Sequence, residues 1–177
     1  MRFQLKDILP PFLITLIILV VLEIVSTAFL PVMGIVRYRL TFYVLIILFM
    51  GFKLETPYLP VLILILSYVH SFFSIEGWAM GTLAGVLVCA IISYLRELIH
   101  FSSFILTIFV TQIFQIVWIL IVSFMVYIQG GEFPYLVAKF WRFIPESIAL
   151  SLFSPFFFSV LDKIWKKSGE GILRENT

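Results

Sequence analysis

The most informative stretch of this sequence is residues 77–95, GWAMGTLAGVLVCAIISYL. Small residues recur along it at every fourth position: Gly77, Gly81, Gly85, Cys89 and Ser93. Residues four apart lie on one face of a helix, so these small side chains form a stripe. A second helix can approach such a stripe closely, as in the small-xxx-small pattern of membrane helices. The pattern predicts a membrane helix with a tight packing face.

This glycine stripe has three possible uses that the sequence alone does not separate. It can pack against another helix of the same bundle, or it can dock a helix of a partner protein. A path for a substrate along the groove is the third possibility. We therefore name the five stripe residues as helix-packing or partner-docking residues.

The composition identifies the class of protein to which the chain belongs. The 177 residues are 62% hydrophobic and 12% charged, with a mean hydropathy of +1.15. A soluble domain is usually about 45–50% apolar and about 25% charged. We therefore predict an all-α integral membrane protein. The net charge of +2 is too small to indicate nucleic acid as a partner.

The apolar runs predict a compact bundle of six transmembrane helices in a single domain, residues 1–177. A spanning helix needs about 20 mostly apolar residues. The predicted spans are residues 11–30, 40–52, 57–75, 77–95, 101–128 and 146–165. The second span is short, and if it were re-entrant the number of spans would be five. The mixture of charges and aromatic residues in EFPYLVAKFWRFIP, residues 132–145, is typical of a segment at the membrane interface.

The distribution of basic residues predicts the orientation of the six spans. With both termini in the cytoplasm, the inner segments hold Arg2, Lys6, Lys53, Arg96, Lys163, Lys166, Lys167 and Arg174. The outer segments then hold only Arg37, Arg39, Lys139 and Arg142. Cytoplasmic loops carry the excess of Lys and Arg, so this orientation is favoured.

The sequence contains no motif that indicates an enzyme. It has no phosphate-binding G-x-x-x-x-G-K-[ST] loop, no H-E-x-x-H pair and no G-x-S-x-G elbow. Its single cysteine and two histidines do not form a set with metal-ligand spacing. We expect no catalytic residue, no cofactor and no metal site.

Four polar side chains inside the predicted spans are the remaining candidates for a site. Glu23 lies well inside the first span, where a carboxylate costs a few kcal/mol unless it is protonated, paired or hydrated. His70 falls toward the same side of the membrane and is a possible partner for it. Gln112 and Gln115 lie three apart on one face of the fifth span. For each of these residues the sequence is compatible with a role in function and with a structural hydrogen bond to another helix.

The order of elements between Arg37 and Lys167 resembles MreD, a small multi-pass rod-shape-determining protein of the bacterial inner membrane. An arginine begins a short span, RLTFYVLIILFMGF (39–52), and a proline-bearing span follows. Ser74 and Gly77 then form a Ser-x-x-Gly turn that opens a helix. The last span, SIALSLFSPFFFSVLDKIWKK (147–167), has small residues, then a proline, then a basic tail. The aspartate that MreD-like sequences carry ahead of the turn is absent from ILSYVHSFFS (65–74), where His70 lies close to its place.

The resemblance implies a non-enzymatic scaffold of the machinery that elongates the cell wall and maintains rod shape. MreD-like proteins associate with MreC, a bitopic protein with a periplasmic domain. Through that assembly they act beside RodA and a class B penicillin-binding transpeptidase in peptidoglycan synthesis, and indirectly beside MreB filaments.

The family also resembles, in fold, the substrate-capture subunits of energy-coupling-factor vitamin transporters, which provides the alternative function. Such capture subunits dock to their energising partner through an alanine-rich first span. Residues 11–30 contain a single alanine, Ala28, which argues against this alternative.

Overall fold

A computed structural model describes residues 5–32, 40–54, 56–74, 78–95, 104–130 and 132–166. The fold of these residues is all-α, with six helices. Helix α1 runs through Leu5–Ile24 and continues in a π-helical turn, Val25–Phe29, and a last turn, Leu30–Val32. The other helices are α2 (Phe42–Lys53), α3 (Leu59–Ser71), α4 (Trp78–Leu95), α5 (Phe104–Ile128) and α6 (Phe133–Lys166).

The short helix α2 forms the centre of the bundle. It contacts each of the other five helices, and every residue from 42 to 52 is buried. The remaining helices contact one another in the ring order α1, α3, α4, α5, α6 and back to α1. A helix that is apolar on all sides must be surrounded by protein or by lipid, and α2 is surrounded by the other five helices. The bundle is therefore a five-helix ring around one enclosed helix.

Two glycines allow α2 and α4 to approach closely. A Cβ atom on Gly85 of α4 would lie 2.8 Å from the hydroxyl of Tyr43 and 3.2 Å from Cδ1 of Ile47, both on α2. A Cβ atom on Gly51 of α2 would lie 3.0 Å from Cγ2 of Ile92 on α4. Each helix therefore provides a glycine that receives a side chain of the other, and interior packing of this density leaves no room for a methyl group.

The helices differ in whether they are long enough to cross a bilayer. Among the described residues, three helical stretches are long and apolar enough for this: Asp7–Ala28, Phe104–Ile128 and Pro134–Lys166. Three apolar helices are shorter, and α2 has only 12 residues. At 1.5 Å per residue α2 is about 18 Å long, against a hydrocarbon thickness of about 30 Å. The short second span predicted from the sequence is thus the enclosed helix.

Two helices begin earlier than the sequence predicts, because prolines are accommodated inside them. Helix α6 starts at Phe133, so almost all of the segment 132–145 that we predicted to be interfacial is helical and continuous with the predicted span 146–165. Pro155 cannot donate to the carbonyl oxygen of Ser151, but the hydroxyl of Ser154 donates to that oxygen at 2.8 Å. Helix α1 likewise starts at Leu5 and contains Pro10 and Pro11.

Candidate functional site

The candidate site lies at the end of the bundle where α1 and α3 end and α2 and α6 begin, which we call the upper end. The π-helical turn of α1 precedes Pro31, which cannot donate a backbone hydrogen bond. Within this turn Ser26 faces the start of α2. Its hydroxyl oxygen accepts from the backbone N–H of Leu40 at 3.0 Å and donates to the carbonyl of Leu40 at 3.1 Å. The last turns of α1 are therefore fixed to the start of α2.

The structure brings Glu23 and His70 together. Nδ1 of His70 lies 2.9 Å from Oε1 of Glu23, which joins α1 to α3. The two residues are buried, with 3% and 8% of their surface exposed. A carboxylate at this depth needs a donor, and the imidazole N–H provides one. Such a pair can hold a proton between its members or present hydrogen-bonding atoms to a ligand.

The imidazole of His70 also packs on the central helix. Its ring stacks on the ring of Tyr43, with the centroids 4.4 Å apart and the planes at 4°. Trp118 of α5 packs edge-on against Tyr43 at 5.4 Å. The hydroxyl of Tyr43 hydrogen-bonds to Ser67, whose hydroxyl donates to the carbonyl of Ile63 at 2.8 Å. These contacts connect the polar pair to α2, α3 and α5, so its geometry is held by four helices.

A cavity of about 310 Å³ opens beside this pair. Its lining residues come from the upper ends of α1, α2, α3 and α6 and from the middle of α5: Glu23, Ser26, Thr27, Leu40, Thr41, His70, Phe73, Ser74, Trp118, Ile119, Tyr135, Ala138, Lys139, Arg142, Phe143 and Glu146. Carboxylates, cations, hydroxyls and aromatic rings therefore converge on one volume. A concave site with a few convergent polar groups is the usual form of a binding pocket.

The glycine stripe contributes none of the residues that line this cavity. Gly81, Gly85 and Cys89 are buried, and Gly85 packs against α2. Gly77 lies outside the described residues, and for Ser93 only the backbone, within α4, is described. Of the three uses open from the sequence, packing within the bundle is the one that the geometry of Gly85 supports.

Gln112 and Gln115 lie at the contact between α5 and α6 and not in the cavity. Nε2 of Gln112 donates to Ser147 at 2.9 Å, and Nε2 of Gln115 donates to Ser151 at 3.1 Å. The hydroxyl of Ser151 in turn donates to Oε1 of Gln112 at 2.8 Å. These bonds form a polar seam between the two longest helices, so both glutamines have a structural role.

The sequence analysis missed several residues of the site. Tyr43 is one, although a hydroxyl in an otherwise apolar helix requires a hydrogen-bond partner once that helix is enclosed. Lys139 and Arg142 were used only to orient the spans. Together with Tyr135 and Ala138, they recur at intervals of three or four residues within 132–145. This spacing was the signal that they share one helical face.

Comparisons of the chain with family models, with curated proteins and with solved structures found no match.

Proposed function

We propose that the chain is a non-enzymatic membrane scaffold of the bacterial cell-wall elongation machinery, as its resemblance to MreD implies. In this role it binds MreC and acts beside RodA and a class B penicillin-binding transpeptidase, with MreB filaments as an indirect partner. The proposal makes the protein a determinant of rod shape and of peptidoglycan synthesis along the lateral wall.

One structural observation carries the proposal. RLTFYVLIILFMGF (39–52), which is part of the resemblance, contains most of the central helix α2. One of the stretches on which the resemblance rests is thus the part around which all other helices pack. This supports a common bundle architecture, on which the proposed function depends.

The membrane arrangement that goes with this function is a bundle that crosses the inner membrane six times, with both termini in the cytoplasm. The upper end, with the cavity, then faces the periplasm. Lys53, Asp162 and Lys166 lie at the opposite end, where Nζ of Lys166 is 3.3 Å from Oδ2 of Asp162. More of the basic residues fall on this cytoplasmic side, as the positive-inside rule requires.

The partner in this proposal is a protein with one spanning helix. Because Gly85 is used inside the bundle, the partner helix contacts the lipid-facing sides of the ring and not the buried part of the stripe. In lipid, helices associate through close packing and interhelical hydrogen bonds. The assembly therefore does not need a soluble domain on this chain.

Depletion of the protein in a rod-shaped bacterium that encodes it tests the function directly. Rods are expected to become rounded, and labelling of the lateral wall with a fluorescent D-amino acid is expected to fall. Re-expression of the wild-type chain and of the Gly81→Ala variant, whose added Cβ meets no atom within 4 Å, is expected to restore both. Unchanged shape and unchanged lateral labelling after depletion would contradict the proposal.

The cavity favours a second candidate function, which is capture of a small molecule for an importer of the energy-coupling-factor type. A carboxylate–imidazole pair in a periplasmic cavity of about 310 Å³ is suited to bind a small polar ligand. Calorimetry of the purified protein against a panel of vitamins tests this candidate. Saturable binding that is lost in Glu23→Gln would favour it, and the absence of binding to every vitamin would remove it.

A further inference from the structure

The first half of α6 forms one wall of the cavity, and this wall carries positive charge. Tyr135, Ala138, Lys139 and Arg142 follow one another at helical spacing, and all four line the cavity. Arg142 is exposed and, within the described ranges, makes no ion pair. A guanidinium group in this position presents a planar fork of donors that matches the oxygens of a phosphate.

The position of this wall relative to a bilayer indicates which anion it meets. Tyr135 and Trp141, both in the first half of α6, are 58% and 70% exposed. Exposed Tyr and Trp side chains are concentrated at the level of the lipid headgroups. Arg142, next to Trp141, is therefore suited to meet a phosphate group at that level.

The part of the lining that comes from α1 and α2 carries a carboxylate and hydroxyl groups. His70 contacts Oε1 of Glu23, and no hydrogen bond to Oε2 is found among the described residues, so Oε2 can accept from a ligand. Thr41, at the start of α2, lines the same side, and its hydroxyl makes no capping bond to the helix. Glu146 belongs to α6 itself, four residues after Arg142, so it places a second carboxylate in the lining beside the basic residues. A ligand that fits both parts of the lining has an anionic group at one end and a cationic donor at the other.

We propose that the cavity binds a phosphate ester that also carries an amine, with the phosphate on Arg142 and the amine directed to Glu23. The volume of about 310 Å³ is at the small end of the range for ligand pockets, and so suits a group of headgroup size. This chemistry is available from the headgroup of phosphatidylethanolamine in the outer leaflet and from soluble phosphoethanolamine. The inference goes beyond the scaffold function and does not depend on it.

Binding measurements on the purified full chain test the proposal. Native mass spectrometry in a neutral detergent is performed with phosphatidylethanolamine, with phosphatidylglycerol, with diacylglycerol and with soluble phosphoethanolamine. The variants are Arg142→Gln, Glu23→Gln and the control Lys163→Gln. The control removes the same charge from an exposed position of the same helix at its other end, so it corrects for general attraction of lipids to basic residues.

The expected result is that an amine-bearing phosphate ester binds more tightly than phosphatidylglycerol, and that diacylglycerol does not bind at this site. Arg142→Gln is expected to weaken binding about tenfold, because hydrogen bonds between charged groups are lost. Glu23→Gln is expected to remove the preference for the amine, and Lys163→Gln to change neither property.

Binding of the lipid alone would identify the membrane as the source of the ligand, and binding of soluble phosphoethanolamine as well would identify a soluble source. Equal weakening by Arg142→Gln and Lys163→Gln, or the absence of binding to all four compounds, would overturn the proposal.

Discussion

Nδ1 of His70 lies 2.9 Å from Oε1 of Glu23, although the two residues are 47 positions apart in the chain. The contact joins α1 to α3 at the upper end of the bundle. The imidazole also stacks on Tyr43 of the enclosed helix α2. It therefore connects the outer helices α1 and α3 to the centre of the bundle. This relationship makes the polar pair part of the architecture as well as part of the cavity wall.

The first prediction concerns the coupling between these two side chains. His70→Ala is expected to lower the free energy of unfolding by about 1–3 kcal/mol, because it leaves a buried carboxylate without its donor. In a double-mutant cycle with Glu23→Ala, the double variant is expected to lose less than the sum of the two single variants. Unfolding of the purified protein in detergent and denaturant measures these values.

The matched control for this cycle is Ser71→Ala. Ser71 follows His70 directly, is half-buried, and among the described residues bonds only to a carbonyl of its own helix, so a change within about 0.5 kcal/mol is expected. Strictly additive effects of Glu23→Ala and His70→Ala would mean that the pair does not contribute to stability.

The second prediction contrasts two glycines of the stripe. Gly85→Ala is expected to destabilise the protein by about 1–3 kcal/mol, because the new Cβ atom meets Tyr43 and Ile47, which are both fully buried. Gly81→Ala adds a Cβ atom with no neighbour within 4 Å and is expected to be neutral or slightly stabilising, since alanine favours the helix by up to about 1 kcal/mol. Thermal unfolding of the two variants side by side tests this contrast, and equal losses in both would contradict the packing described for α2 and α4.

The third prediction identifies the atom that makes Gly85 intolerant of a side chain. The closest neighbour of a Cβ atom there is the hydroxyl oxygen of Tyr43, at 2.8 Å. Tyr43→Phe removes that oxygen and keeps the ring. Gly85→Ala is therefore expected to cost less in the Tyr43→Phe background than in the wild type, with a remaining cost from Ile47 at 3.2 Å. If the cost were the same in both backgrounds, the hydroxyl would not be the source of the clash.

The fourth prediction concerns the seam between α5 and α6. Ser151→Ala removes a donor to Gln112 and an acceptor for Gln115, which is buried with 1% of its surface exposed. A loss of about 1 kcal/mol is expected, in the range measured for hydrogen bonds between membrane helices. The control is Ser159→Ala, because its hydroxyl bonds only to the carbonyl of Pro155 in its own helix. Equal effects of the two serine variants in an unfolding titration would show that the seam adds nothing beyond local bonds.

Much of the helical organisation is predictable from the sequence, because apolar runs in this chain have clear limits. The predicted span 77–95 corresponds closely to α4, and the short span 40–52 corresponds to α2. The depth of Glu23 and His70 also follows from their positions within these runs. A polar residue at depth requires a partner, so the sequence narrows the search for that partner to a few side chains.

The central place of α2 is not predictable in the same way. An apolar character on all sides indicates that a helix is enclosed, but it does not show which helices enclose it. The helix that packs against the glycine stripe is not predictable for the same reason. The small-xxx-small pattern is the same whether the second helix belongs to this chain or to a partner. The continuity of α6 from Phe133 was not predicted either, because the charges in 132–145 indicate an interface but do not show where the helix begins; Pro145 lies inside the helix, which accommodates one missing backbone bond.

The most direct test of the proposed function is affinity purification of the tagged full chain from native membranes in a mild detergent, followed by mass spectrometry. A second multi-pass protein of the same membrane, with the same tag, serves as the control bait. The account predicts specific enrichment of MreC, together with RodA and a class B penicillin-binding transpeptidase. Recovery of the energising subunit and ATPases of a transporter, with no enrichment of MreC over the control, would contradict it.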